Sequence, residues 1–600
     1  VRWLDSAFES GVKPPHSIPA RNSLANYVTS TAINRLLNQL GELKNRFGSR
    51  EHRSVERILS ELGRQEVADG ETLVRLHETL LFISAYPQSA RARTLAESLL
   101  RNFAKRVEKL RAAGEDLSPL ESPEVSGIAG MSVTDTFSYY IVRWLVRLPQ
   151  DRVALAWEWF EDENRLAETW PRFMPLLEED SFVEANVPYQ TWLRAASGGA
   201  AKDLTWLIRR FASLPKTDME KAELYDSQKL YVRWSPPYRA TRTGMRLATS
   251  KVFYHRDPLI QRREVSLQRE MENPAPPLER LSAKQGEAIL DMAREASTVR
   301  YRELYGFTHG DPRRVFKTNL GRGINVFITA LPPKRRLPLR AYHAAMIFKN
   351  GVPVGYFEGL SLFERMESGF NLYYSFREGE TAWLYARILS IFRHLLGVTA
   401  FSIDPYQVGY ENQEGIESGA FWFYRKLGFR PTSPAVTKLM RSEEKKIASR
   451  STYRTAAKTL RQLAAGSMIF EVDKSKSGDW DRFQVRNVGL AVQRQMAAKH
   501  IGNADRFRAE AVKELTRALG IRTNDWREAE LRPFSDFAVT LSLVKDLSEW
   551  RDIEKRALVR VIHAKTTSDE SSYLKLMQKH ARLRKAIIKM GSLSGPIEYL

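Results

Sequence analysis

The chain has 600 residues, 43% hydrophobic and 27% charged, with a formal net charge of +22 and no cysteine. That composition fits a folded multidomain protein. The missing cysteines exclude disulfides, thiolate catalysis and cysteine-ligated metal sites.

No apolar run approaches the roughly 20 residues that span a bilayer. Val1-Arg2-Trp3-Leu4-Asp5 lacks the charged-then-apolar pattern of a secretory leader. A cytoplasmic protein without a transmembrane segment is therefore expected. The excess of Lys+Arg, 93 against 71 Asp+Glu, attracts polyanions, and nucleic acid is one such partner.

Residues 24–113 read as helices, with Leu36, Leu37, Leu40 and Leu43 at helical spacing. A loop marked by Gly and Pro spans 114–131. Its Ser126-Gly127-Ile128-Ala129-Gly130 reads as a connecting turn, with close approach to a ligand as the alternative. Helices are expected again over 134–212, where Trp144, Trp157, Trp159, Trp170, Trp192 and Trp206 read as packing rather than as a stacking platform for bases. These stretches form an expected helical domain, 1–212. An irregular linker follows, 213–282, marked by Ser235-Pro236-Pro237 and by Asn273-Pro274-Ala275-Pro276-Pro277. The third unit, 283–440, opens on a short helix at 283–295. The fourth, 441–600, reads as basic and helical. Lys438 to Arg461 holds eight Lys/Arg against two Glu, and Lys575, Lys579, Arg582, Arg584, Lys585 and Lys589 crowd the last helix. Such faces grip a polyanion or a membrane surface, or are simply solvated.

From residue 323 the period becomes alternating. Strands are expected at 325–331, at 342–348 and at 352–360, the last two joined at Asn350-Gly351, a type I′ hairpin signal because both positions need positive φ. A fourth strand is expected at 370–376, with Phe370, Leu372, Tyr374 and Phe376 on one face. Leu384, Ile388, Ile391 and Leu395 then mark a helix closed by Gly397. A fifth strand at 398–403 ends at Asp404-Pro405, a second helix runs over 415–427, and 435–440 reads as a last strand. The loop Arg377-Glu378-Gly379-Glu380-Thr381-Ala382 joins a strand to a helix, where free backbone N–H groups can face an anion.

Ala420-Phe421-Trp422-Phe423-Tyr424-Arg425-Lys426-Leu427-Gly428-Phe429 resembles the last helix of GNAT acyltransferases, although Glu417 stands where that family usually has Asn. The resemblance covers about 320–440. It implies a mixed, mostly antiparallel twisted sheet with flanking helices, an α/β core set between mainly helical N- and C-terminal regions. It further implies transfer of an acyl group from acyl-CoA, acetyl or longer, to an amine on a small molecule, peptide or protein, without a metal. Tyr424 takes the place of the phenol that protonates the departing thiolate. Glu358 on the third strand is the expected base, its enclosure raising its pKa, with Glu364, His343, Asp404 and Glu417 as further candidates. The cofactor's diphosphate would lie on Phe376, Arg377, Glu378, Gly379, Glu380, Thr381 and Ala382. Asp404, Tyr406, Glu411, Asn412 and Glu417 would form an acidic lip for the acceptor.

The loop departs from the family pattern, and its Glu378 and Glu380 repel a diphosphate. Arg313, Arg314, Lys317, Arg322 and Lys334-Arg335-Arg336 are the charges that would offset them. The family's helix pair between its first two strands is also missing; either the 283–295 helix substitutes for it or the sheet begins differently. Two alternatives follow: a Fem-like transferase that takes aminoacyl-tRNA as donor, and a catalytically silent scaffold of this fold that binds nucleic acid or protein.

Overall fold

The computed structural model describes residues 24–160, 164–170, 187–567 and 569–592. The Val1–Asp5 leader reading and part of the helices expected over 134–212 lie outside them. The N-terminal helices form as expected. The most buried is α1 (Gly70–Ala85), capped by Asp69, whose carboxylate accepts from the N–H of Thr72. In the 114–131 loop, Gly127 and Gly130 have positive φ and press against Val299 and Ala104, so the close approach there is to protein.

Residues 133–234 correct the expected run of helices. Strands Val133–Asp135, Val153–Leu155 and Val232–Trp234 form a small antiparallel sheet, with helices such as Asp203–Ser213 packed beside it. Trp144, Trp170, Trp192 and Trp234 are buried in a core separate from that of the rest of the chain. The Trp-rich segment is thus a packing unit, and its third strand comes from the expected linker.

The larger body is built on a nine-stranded sheet. Helix α2 (Ala283–Thr298) begins in a capping box of Ser282 and Gln285. The strands are β1 (Glu279–Arg280), β2 (Val315–Gly321), β3 (Ile324–Ala330), β4 (Ala341–Lys349), β5 (Val352–Leu362), β6 (Arg365–Leu372), β7 (Ala400–Ile403), β8 (Arg430–Pro431) and β9 (Met468–Glu471). Their spatial order is β8-β9-β7-β6-β5-β4-β3-β2-β1, antiparallel throughout except for β6 and β7, which run parallel. The β4–β5 hairpin turns at Asn350 (φ 49°) and Gly351 (φ 82°), as the Asn-Gly pair demands.

Helix α3 (Thr381–Leu396) connects β6 to β7 and packs on one sheet face, with Phe392 stacked on Phe357 and Tyr385 against Phe370. Residues 299–309, which follow α2, cover the other face; Gly306 lies so close to Tyr342 and Ala344 that a Cβ would overlap both.

Three expected elements differ. The fourth strand ends at Leu372; Tyr374–Phe376 is a 3-10 turn, which leaves Tyr374 exposed and Phe376 buried. The expected 415–427 helix breaks at Gly419 (φ 67°) into Gln413–Glu417 and α4 (Ala420–Lys426). Residues 435–440 lie in a helix, α5 (Pro434–Ser449), because Ser433 caps it and Pro434 sits in its first turn, where a missing N–H costs nothing. A short α6 (Ala457–Leu463) follows. The last strand in the chain is β9, beyond the expected boundary at 440, and it lies between β7 and the edge strand β8. The C-terminal helices end in α7 (Ala581–Ser592) and share the sheet's core.

Candidate active site

The parallel pair is the irregular point of the sheet. β6 pairs with β5 from Arg365 to Leu372, but with β7 only at Arg365, Met366 and Glu367. Beyond Glu367 and Ser402 the pairing stops, and β6 runs on to Leu372 with a gap in the hydrogen-bonded layer on its β7 side. Gly369 lies beside it, with no atom closer to its Cβ position than Gln407 Nε2 at 3.9 Å.

Glu358 sits opposite Gly369 and Ala344 on the face covered by residues 299–309. The Tyr342 hydroxyl donates to its carboxylate and accepts from the N–H of Gly306 (3.1 Å). Burial lifts the Glu358 carboxyl to about 7, against the pull of that hydrogen bond. Two residues along, the Tyr356 hydroxyl accepts from Arg302 (3.0 Å). Arg302 also reaches Asn371 on β6, at 2.7 Å with the amide oxygen turned toward it. Arg302 makes no ion pair among the described residues. Sequence reasoning missed Tyr342, Tyr356, Arg302 and Asn371. Arg302 lies in a patternless turn 56 residues before Glu358, and no local signal places it there.

Tyr424 projects from α4 among the rings of Tyr385 (5.9 Å), Phe423 (5.3 Å) and Phe429 (5.6 Å). It therefore lies on the α3 side, whereas Glu358 faces the other way. Burial raises its phenol, and no hydrogen-bond partner for the hydroxyl is found among the described residues. The neighbouring Tyr385 hydroxyl is held by Ser368 (2.9 Å).

The other candidate bases are engaged elsewhere. Glu364 is buried and bound by Arg584 Nε (2.8 Å) and Trp480 Nε1 (2.9 Å). Those bonds hold it low despite burial. His343 faces Phe392 on the α3 side, and burial lowers it. In the expected acceptor lip, Asp404 caps the Pro405–Val408 helix and Asn412 caps Gln413–Glu417. Tyr406 provides the carbonyl that Asn412 Nδ2 binds (3.0 Å). Glu417 accepts from Gln413 (2.8 Å), and Glu411 is exposed with φ 52°. These residues lie in consecutive turns after β7, and their polar groups mainly shape those turns.

The expected diphosphate loop is closed by protein. Arg377 pairs with Glu414, and Glu378 with Lys44 (2.8 Å) and Asn45 (3.0 Å). Glu380 is buried; Arg322 and Lys349 (3.5 Å) bind its carboxylate, and the N–H of Ile260 donates to it (3.2 Å). The Tyr86 hydroxyl, at the end of α1, presses against the loop and leaves no room for a Cβ on Gly379. Phe376 and Ala382 lie in the core, and the Thr381 hydroxyl returns to the Arg377 carbonyl (3.0 Å). A phenol and a carboxylate thus sit where the diphosphate was expected. Among the charges expected to offset the loop, Arg322 does reach it, but it serves Glu380. Arg336 is instead buried against the carbonyls of Leu331 and Lys565, and Arg335 binds Tyr140 and Asp218.

The same corner holds buried Lys349, pushed by burial down to about 7 against the pull of Glu380, and His255, which burial and the two cations push to about 2. Among the described residues no helix is long and apolar enough to cross a membrane, and no cluster of His, Cys, Asp or Glu suits a metal ion. Compared with protein-family models, curated proteins and solved structures, the chain matches none.

Proposed function

We propose that this chain is a GNAT-like N-acyltransferase that moves an acyl group from an activated donor to an amine, working at the gap between β6 and β7. The observation that carries the reading is one short parallel pair in an otherwise antiparallel sheet, with Glu358 on one side and Tyr424 on the other. A carboxyl at about 7 is half ionised at neutral pH and suited to remove a proton from an ammonium or amine. The amine nitrogen attacks the carbonyl carbon of a thioester, the C–N bond forms and the C–S bond breaks. Glu358 takes the amine proton and Tyr424 gives one to the thiolate. Acceptor and donor would enter from opposite faces, which the positions of the two groups support.

Acyl-CoA is the first donor to test. The closed loop supports the second reading, a donor such as aminoacyl-tRNA whose phosphates are held elsewhere, because Glu380 and Tyr86 stand against a diphosphate. The test is melting with acetyl-CoA and longer acyl-CoA esters, combined with mass spectrometry of co-purified ligand. A ligand bound only by the folded protein raises the melting temperature. A rise with acyl-CoA, and amine acylation lost in Glu358→Gln, would support the first donor. No shift, with transfer from aminoacyl-tRNA, would support the second. No transfer from either would leave a silent scaffold.

A further inference from the structure

The excursion between β8 and β9 is more basic than any role in the sheet requires. Helices α5 and α6 and the turn joining them carry Lys438, Arg441, Lys445, Lys446, Arg450, Arg454, Lys458 and Arg461 against Glu443 and Glu444. Both carboxylates are already engaged. Glu443 is buried and bound by Lys446 (2.6 Å) and Tyr453 (2.8 Å), and Glu444 is bound by Arg425 (2.7 Å). Lys438, Arg441, Lys445, Arg450 and Lys458 are all exposed, and none has an acidic partner among the described residues. Lys438, Arg441 and Lys445 recur at three and four residues, which puts them on one stripe of α5.

One of these cations, Arg454, also crowds basic residues outside the excursion. Arg262 and Arg454 both act on Lys426 at the end of α4, and after burial they are what lowers its pKa. Like charges held together without a counter-ion oppose folding, so their persistence points to an anion that comes from outside. The excursion is fixed to the candidate site, since Trp422 Nε1 on α4 donates to Thr455 Oγ1 in its turn (3.1 Å).

We propose that the α5–α6 excursion is a docking surface for the phosphate backbone of an RNA. Length separates RNA from a phosphorylated small molecule. The 16 residues of α5 extend ~24 Å at 1.5 Å per residue, several phosphates long and far beyond one diphosphate. A membrane is the poorer partner because no large apolar side chain of the excursion is exposed to enter lipid. Helix α7, also basic, differs: its Arg582 and Arg584 are paired with Asp546, Glu554, Glu364 and Asp479. The surface stands whether or not the β6–β7 gap is catalytic.

The test uses the full chain and fluorescence anisotropy with a labelled 20-nucleotide RNA over a salt series. Two variants remove the same charge: Lys438→Gln/Arg441→Gln/Lys445→Gln/Lys458→Gln on the excursion, and Lys575→Gln/Lys579→Gln/Lys585→Gln/Lys589→Gln at the C-terminal end. All eight side chains are exposed and without acidic partners among the described residues, and the melting curve of each variant checks that it folds. The first variant should lose tenfold or more in affinity at 100 mM salt. Its slope of log K against log salt should fall by about 3, since each lost phosphate contact is worth about 0.7 on a single strand. The second variant should keep the wild-type slope. Equal losses in the two variants, no RNA binding by the wild type at 50 mM salt, or excursion-dependent binding to anionic vesicles tighter than to RNA would each overturn the proposal.

Discussion

Glu358 makes a prediction that separates charge from shape. Its folded-state pKa of about 7 lies above the ordinary 4.5, so between those values the native protein holds a proton that the unfolded chain has lost. Stability then falls as pH rises through that window, and the cost is complete above pH 7 and absent below pH 4.5. Glu358→Gln keeps an acceptor for the Tyr342 hydroxyl and removes the titration. The variant should match the wild type near pH 4.5 and exceed it by on the order of 2 kcal/mol at pH 8, read from urea melts. If Glu358 is the base, the same variant should lose about 100-fold or more in turnover. A gap that does not widen with pH would place the proton on another group. Tyr86 offers a second residue-level test. Tyr86→Phe leaves the ring under the loop but removes the hydroxyl that fills the space beside Gly379. Inorganic pyrophosphate should then raise the melting temperature of the variant more than that of the wild type, and an equal response would mean the hydroxyl is no obstacle to an anion.

At the scale of elements, the β4–β5 hairpin does more than reverse the chain. Asn350 Nδ2 donates to the carbonyls of Ala85 (2.8 Å) and Phe253 (3.0 Å), and its Oδ1 accepts from the Phe253 N–H (2.8 Å). One buried side chain therefore ties the turn to the end of α1 and to the 241–260 segment. Asn350→Ala removes all three bonds and leaves their backbone partners unpaired, and we expect a loss of roughly 3 kcal/mol with earlier proteolysis in 241–260. A loss below about 1 kcal/mol would show that those backbone groups find other partners.

The hairpin itself was legible because Asn-Gly states a backbone conformation locally. So was α3, through four apolar residues at helical spacing and a C-terminal Gly397 with φ 73°. β9 was not, since four residues, Met468–Glu471, carry too short a pattern to tell strand from helix. Nor was the closed loop. Tyr86 and Gly379 are 293 residues apart, and their contact exists only once α1 has packed against the sheet. The repulsive Glu378 and Glu380 were visible as a misfit to a diphosphate, but their partners Lys44, Asn45, Lys349 and Arg322 required the fold.

For the whole molecule, the Trp-rich unit is placed as an insertion. Its ends meet, because Val133 pairs with Trp234 and the Ser132 hydroxyl lies 2.9 Å from that of Ser235. Its core takes in Ala240 and Val299 from outside the insertion, with Tyr301 packed against it. The joint between the two also carries polar contacts: Trp144 Nε1 donates to Asp291 (3.0 Å), and Arg335 stacks on Tyr140 (4.9 Å) and pairs with Asp218 (3.3 Å). A joint with so little shared apolar surface couples two bodies weakly. Replacing residues 133–234 by a short Gly-Ser linker should therefore leave a protein that still melts in one cooperative transition. Exposing Val299 should lower its midpoint by a few degrees, since about 1 kcal/mol moves a domain of this size by roughly 2–4 °C. The excision removes seven of the 13 Trp. Of the six that remain, Trp383, Trp422, Trp480, Trp526 and Trp550 then report on the sheet and the C-terminal helices by fluorescence. Coincident fluorescence and circular-dichroism melts in the shortened chain would establish that the sheet, its gap and the closed loop fold without the insertion. Loss of cooperativity would mean that the joint binds the two bodies into one.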